Sequence, residues 1–248
     1  MSTKTNQVLM YRKPNPQAEL RLFCFPYAGG GASIYTNWQT RFSKRVEVCP
    51  VQLPGRENRM LETPISSMAQ LVPQLADELE GYLDQPFLFF GHSMGALISF
   101  ELTRELRRRN QPLPQKLIVS AKSAPHVPRR KSFGYASSDV ELIAELRELN
   151  GTPEEVLQSE ELMELFLPII RADFELVTRY AYQEEEPLSC PILALGGTED
   201  ADVPPENLAA WQQVTTGDFS LRLFAGDHFY LFQENTDALD KIIETVEE

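Results

Sequence analysis

Apolar and polar positions follow two alternating patterns along most of the chain. Short, nearly continuous apolar runs, as expected of strands buried on both faces, occur at residues 20–26, 46–51, 87–91, 116–121, 191–197 and 221–225. Between them, apolar residues recur at helical spacing. Ile34, Tyr35, Trp38 and Phe42 form one such face, and Leu71, Leu75, Leu79 and Leu83 another, with Ser66 or Ser67 as its cap. Residues 94–109, 206–214 and 236–246 read as further helices. Strand and helix in alternation predict an α/β chain with a mostly parallel sheet flanked by helices. The alternation stops between residues 128 and 187, where Leu142, Ile143 and Leu146, then Val156 and Leu157, then residues 162–170 all carry a helical pattern. The expected organisation is a core of residues 1–127 and 188–248, with a helical insertion at 128–187 placed as a lid over the strand ends.

The candidate chemistry sits where strands end. Gly91-His92-Ser93-Met94-Gly95 follows an apolar strand and opens a helix. This G-x-S-x-G pattern makes a tight strand-to-helix turn in which larger flanking side chains would collide, leaving the Ser93 hydroxyl exposed as a nucleophile. A serine of ordinary pKa needs a base. Of the three histidines, His92 adjoins the nucleophile and is expected to pack beside the turn. His126 lies between prolines and reads as a loop or lid residue. His228 follows the last strand, where the chain order Ser, acid, His requires it. The acid belongs just past a strand between them. Glu199, Asp200 and Asp202 follow residues 191–197, and Asp200 is preferred over Asp202. Asp227 reads as a solvent-facing loop acid. An oxyanion hole needs two backbone donors. Met94 N–H is one; the loop Tyr27-Ala28-Gly29-Gly30-Gly31 supplies the other, with Ala28 preferred and Tyr27 or Gly29 open.

Composition narrows the setting. The chain has 248 residues, 42% hydrophobic and 24% charged, enough for a substantial core. No apolar run approaches the roughly 18 residues of a membrane helix, and the first residues lack an apolar signal core, so a cytoplasmic protein with no membrane partner is expected. Cys24, Cys49 and Cys190 lie in or beside strand-like runs with no CxxC, which predicts buried inert thiols rather than a disulfide frame or metal site. A net charge of −13 disfavours nucleic acid as a partner. The charge is uneven: residues 101–131 carry nine Lys/Arg and two acids, and residues 139–186 carry three Arg and 14 acids. Arg107, Arg108 and Arg109 read as a solvated helix end, whereas Arg129, Arg130 and Lys131, following a strand at its catalytic end, are candidates for docking an acidic partner.

The stretches FCFPYAGGGAS (23–33), VQLPGRENR (51–59), FFGHSMGAL (89–97), LPIIRADFELVTRY (167–180), CPILALGGTEDADVP (190–204) and GDHFYL (226–231) resemble the stand-alone type II thioesterases of polyketide and nonribosomal peptide assembly lines. No motif position departs from that pattern. The resemblance implies an α/β-hydrolase fold with a helical lid. It also implies a Ser93–Asp200–His228 triad with Ala28 and Met94 as oxyanion donors. The implied activity is hydrolysis of stalled or aberrant acyl units from the phosphopantetheine arm of acyl or peptidyl carrier proteins in antibiotic-type biosynthesis. No metal or other cofactor is expected, since the substrate brings its own phosphopantetheine, and the enzyme is expected to be a monomer. The triad by itself equally suits a lipase or small-ester hydrolase, or transfer to an acceptor other than water; a catalytically silent carrier-binding protein is the contrasting class.

Overall fold

A computed structural model of the chain describes residues 7–128, 134–149, 151–233 and 237–247. Six strands, β1 (Leu20–Phe25), β2 (Val46–Pro50), β3 (Phe87–His92), β4 (Leu117–Ser120), β5 (Ile192–Gly197) and β6 (Phe219–Phe224), form one sheet in the order β2-β1-β3-β4-β5-β6. Every pairing is parallel. Strands β1 to β5 are almost wholly buried because helices or turns cover both faces, whereas the edge strand β6 has no buried residue. Phe23, Phe25, Phe87, Phe89, Leu117, Val119, Ile192 and Ala194 project to one side. Leu22, Cys24, Leu88, Phe90, Ile118, Leu193 and Leu195 project to the other. On the first side Phe25 and Phe89 meet edge to face at 5.2 Å, and Phe23 meets Phe87 and Phe89 at 5.8 Å. The three cysteines are buried free thiols.

Helices α1 (Met68–Leu79) and α2 (Met94–Arg108) cover the first face. Leu71, Leu75 and Leu79 are buried as their spacing predicts, and α1 starts after Ser67, although no side-chain cap bond forms there. Three further helices, α3 (Asp139–Leu149), α4 (Glu154–Leu157) and α5 (Glu160–Arg179), lie between β4 and β5. They enclose an apolar cluster of their own, including Leu142, Leu146, Met163, Leu167, Ile170 and Phe174. The chain ends with α6 (Pro205–Ala209), β6 and α7 (Ala238–Glu247). Among the described residues no helix is long and apolar enough to cross a membrane.

Two helix expectations need correction. The segment containing Ile34, Tyr35, Trp38 and Phe42 is not an α-helix but two 3₁₀ turns, Ala32–Tyr35 and Trp38–Thr40. The Thr36 and Thr40 hydroxyls donate to the Ser33 and Asn37 carbonyls, so local side-chain bonds compete with the helical ladder. Likewise the helix expected at 206–214 is α-helical only to Ala209 and tightens into a 3₁₀ turn over Ala210–Val214.

Sheet order positions the site. The chain runs outward from β1 to β2, then returns to place β3 on the other side of β1. The loops leaving β1 and β3 therefore diverge at the carboxyl edge, where open α/β sheets bind ligands. Phe25 is in register with Gly91, so the glycine-rich loop emerges beside the Ser93 turn.

Candidate active site

Ser93 occupies the turn between β3 and α2 with φ 53° and ψ −114°, a left-handed conformation that a serine adopts only when its surroundings enforce it. The flanking glycines do so by leaving no room. A Cβ at Gly91 would lie 2.2 Å from the Gly95 carbonyl oxygen, and one at Gly95 would lie 2.1 Å from that of Phe25. The Ser93 N–H donates to the Ser120 carbonyl at 2.8 Å, tying the turn to the end of β4.

His228 comes from the loop after β6. Gly226, at φ 120°, turns the chain, and its carbonyl accepts from Glu199 N–H at 2.9 Å, joining this loop to the one after β5. His228 Nε2 lies 2.9 Å from Ser93 Oγ, and Nδ1 lies 2.7 Å from Asp200 Oδ2. The other oxygen of Asp200 accepts backbone N–H bonds from Asp202 at 3.0 Å and Val203 at 3.1 Å, so the buried carboxylate is held from both sides. Asp202 is exposed and contributes only its backbone. Asp227 is half-buried, and its carboxylate accepts from Phe229 N–H and the Gln233 amide, each at 2.9 Å. It shapes the histidine loop rather than facing solvent.

The other histidines stand apart from this chain of bonds. His92 is fully buried, with Nδ1 2.9 Å from Ser120 Oγ, which also meets the Tyr230 hydroxyl at 2.7 Å. Burial first, then the neighbouring His228, pushes its pKa well below the ordinary value. Half-buried His126 packs near Tyr182, ring centroids 5.9 Å apart.

Two cavities meet at Ser93 and His228. The larger, about 300 Å³, runs under α3–α5 between Ala28, Gly29 and Met94 on one side and Met163, Phe166, Ile170 and Phe174 on the other. The smaller, about 90 Å³, is bounded by Lys122, Ser123, Val127, Tyr180 and Val203. Ala28 and Met94 thus both border the nucleophile. Met94 opens α2, so its N–H has no acceptor within the helix. Gly29 N–H is already engaged, donating to Asp173 Oδ2 at 2.7 Å. That leaves Ala28 or Tyr27 as the second candidate donor.

Several residues here carry no role in the motif reading. Asp173 of α5 and Arg56 of the LPGRE turn form a buried, bidentate ion pair with both contacts at 2.7 Å. Tyr180, at the end of α5, donates to Glu101 of α2 at 2.6 Å, and burial, aided by Glu101, pushes its pKa up. Their only sequence signal was membership in the LPGRE and RADFELVTRY stretches. Arg107, Arg108 and Arg109 stand at the solvent-exposed end of α2 as expected, but each is engaged by an acid. Arg107 and Arg108 pair with Glu185, and Arg109 pairs with Asp77 and Glu105. Burial opposes the Glu185 charge, but Arg108 and Arg107 prevail and hold its pKa at about 2. The candidate docking residues Arg129, Arg130 and Lys131 lie outside the described residues.

The sheet order, the glycine-flanked serine turn and the hydrogen-bonded Ser93, His228 and Asp200 define an α/β hydrolase. A family model for the thioesterase domain matches residues 20–248, and the chain belongs to that family. It is 44% identical over 238 residues to the gramicidin S biosynthesis protein GrsT of Aneurinibacillus migulanus, covering 96% of this chain and 93% of that one. Among solved structures it resembles the type II thioesterase BorB from the borrelidin biosynthetic cluster, at 41% identity and TM-score 0.86, covering 95% and 96% of the two chains. It also resembles RedJ, a thioesterase from the prodiginine pathway of Streptomyces coelicolor, at 37% identity and TM-score 0.87, covering 93% and 87%.

Proposed function

We propose that this thioesterase hydrolyses acyl groups from the phosphopantetheine arm of carrier proteins in a polyketide or nonribosomal peptide assembly line, through an acyl-Ser93 intermediate. The observation that carries the reading is the unbroken bond chain from Asp200 through His228 to Ser93 at the junction of two cavities. Ser93 Oγ attacks the thioester carbonyl while His228 Nε2 accepts its proton. Asp200 keeps Nδ1 protonated and stabilises the imidazolium. The tetrahedral oxyanion is held by the N–H groups of Ala28 and Met94. Collapse expels the pantetheine thiolate, which His228 reprotonates. A thiol of pKa about 8.5 leaves readily, so no further activation is required. Water, deprotonated by His228, then attacks the acyl-serine and releases the acid.

The apolar lining under α3–α5 suits an acyl chain, and the more polar second cavity suits the amide-bearing arm. Residues 128–187 then act as the lid. The choice of thioester over ester rests on the family. It is tested by comparing kcat/KM for acyl-carrier thioesters and simple alkyl esters, alongside labelling by a fluorophosphonate. The expected result is labelling lost in Ser93→Ala and a clear preference for the carrier thioester. Preferred turnover of simple esters would assign a lipase-like hydrolase instead, and an unlabelled parent protein would assign a silent carrier-binding protein.

A further inference from the structure

We infer that the buried Arg56–Asp173 pair is a positioning device for the oxyanion loop, acting on catalysis through the backbone of residues 27–31. The inference rests on the acyl-serine reading above. Asp173 belongs to α5, Arg56 to the turn after β2, and the loop follows β1, so the pair joins three elements distant in sequence. Both side chains are almost wholly buried, at 4% and 2% exposure. A buried charge pair often adds little net stability compared with apolar residues, so what its bonds hold in place matters more than its own energy.

They hold peptide planes. A trans peptide points its N–H and C=O in opposite directions, so fixing either end orients the other. Gly30 N–H donates to the Tyr27 carbonyl at 3.0 Å, which orients the Tyr27–Ala28 peptide and with it the Ala28 N–H. The next peptide is fixed by Gly29 N–H on Asp173 Oδ2 at 2.7 Å. The Gly30 carbonyl accepts from Arg56 Nη1 at 3.0 Å, fixing the Gly30–Gly31 peptide, while the Gly30 N–H bond to Tyr27 holds the Gly29–Gly30 peptide between them. Gly29 sits at φ 80°, where the backbone has freedom to turn either way unless it is held. The same Arg56 Nη1 also donates to Asp173 Oδ2, the oxygen that receives Gly29 N–H. The guanidinium therefore balances the charge of the same carboxylate that holds the loop.

A merely structural pair and a positioning pair differ in what their loss affects. The test compares the parent with Arg56→Met/Asp173→Leu, which removes both charges and fills the volume, and with Arg56→Lys, which keeps the charge but not the fork. Each is assayed on a small acyl thioester of N-acetylcysteamine, so carrier docking plays no part. Each is also titrated with a trifluoromethyl ketone, whose serine hemiketal places an oxyanion in the hole, and with a thioether analogue, which does not. The expected result for the double variant is a retained thermal transition and a kcat lower by about 100-fold or more, the effect of losing an oxyanion donor. KM and thioether affinity should stay within about threefold, while ketone affinity falls by the same factor as kcat. Arg56→Lys should show the same split at smaller amplitude, which keeps the test decisive if the double variant folds poorly. An unchanged kcat, or equal weakening of both ligands, overturns the proposal. A parent protein that forms no hemiketal overturns the acyl-serine reading itself, and the two failures are thereby distinguished.

Discussion

Replacing His92 with phenylalanine should flatten the acid side of the stability profile. His92 is fully buried, and burial together with nearby His228 keeps it neutral in the folded protein. In the unfolded chain it titrates near the ordinary histidine value of about 6.5. The folded pKa is thus the lower one, and the unfolded state binds more protons as pH falls. Stability is complete above about pH 7.5 and is lost as pH drops through the unfolded value. Between about pH 7.5 and about pH 5 the unfolded state gains RT ln(1 + 10^1.5), up to about 2 kcal/mol from this one group. His92→Phe keeps a flat ring among Tyr27, Phe229 and Phe232 and leaves the Ser120–Tyr230 bond in place. Any fixed offset from repacking cancels, because only the pH-dependent difference is compared. Urea unfolding of both proteins at the two pH values is the assay, and the variant should lose about 2 kcal/mol less than the parent. Equal losses would mean His92 does titrate in the folded state, and the burial argument would fail.

Asp200→Asn should lower kcat by about 10⁴, as misorienting the histidine does in a serine protease, whereas Asp202→Asn should be mild; the reverse ranking in steady-state kinetics would reassign the acid. Gly95→Ala should unfold or severely destabilise the protein, since its Cβ would stand 2.1 Å from the Phe25 carbonyl oxygen; a normal denaturation curve would show that β1 and α2 can separate. Hydrogen exchange should be faster in α3, α4 and the turns of α5 before Pro168 than around Asp173 or in the sheet, and uniform protection would count against a lid.

The strands and the turn at Ser93 were legible because their signals are local. A buried parallel strand must be continuously apolar, and a tight nucleophile turn must carry glycines at fixed offsets. His228 and Asp200 were legible as positions after strand ends. What escaped was decided at long range. Arg56 and Asp173 lie 117 residues apart, and neither position has a local reason to be charged. The pairing of Arg107 and Arg108 with Glu185 turns a basic run into a neutralised clasp between α2 and the segment before β5. The failed helix around Trp38 is the opposite case. Its apolar spacing was right for burial, but threonine hydroxyls three residues after their acceptors favoured tighter turns.

The backbone of Ser93 sets two selective pressures against each other. At φ 53° and ψ −114° a side chain carries a strain of roughly 1–3 kcal/mol that glycine escapes. Replacement by glycine would therefore relax the turn, and Ser93→Gly should melt above Ser93→Ala. On the acyl-serine reading, the hydroxyl is kept at the cost of stability that glycine would bring.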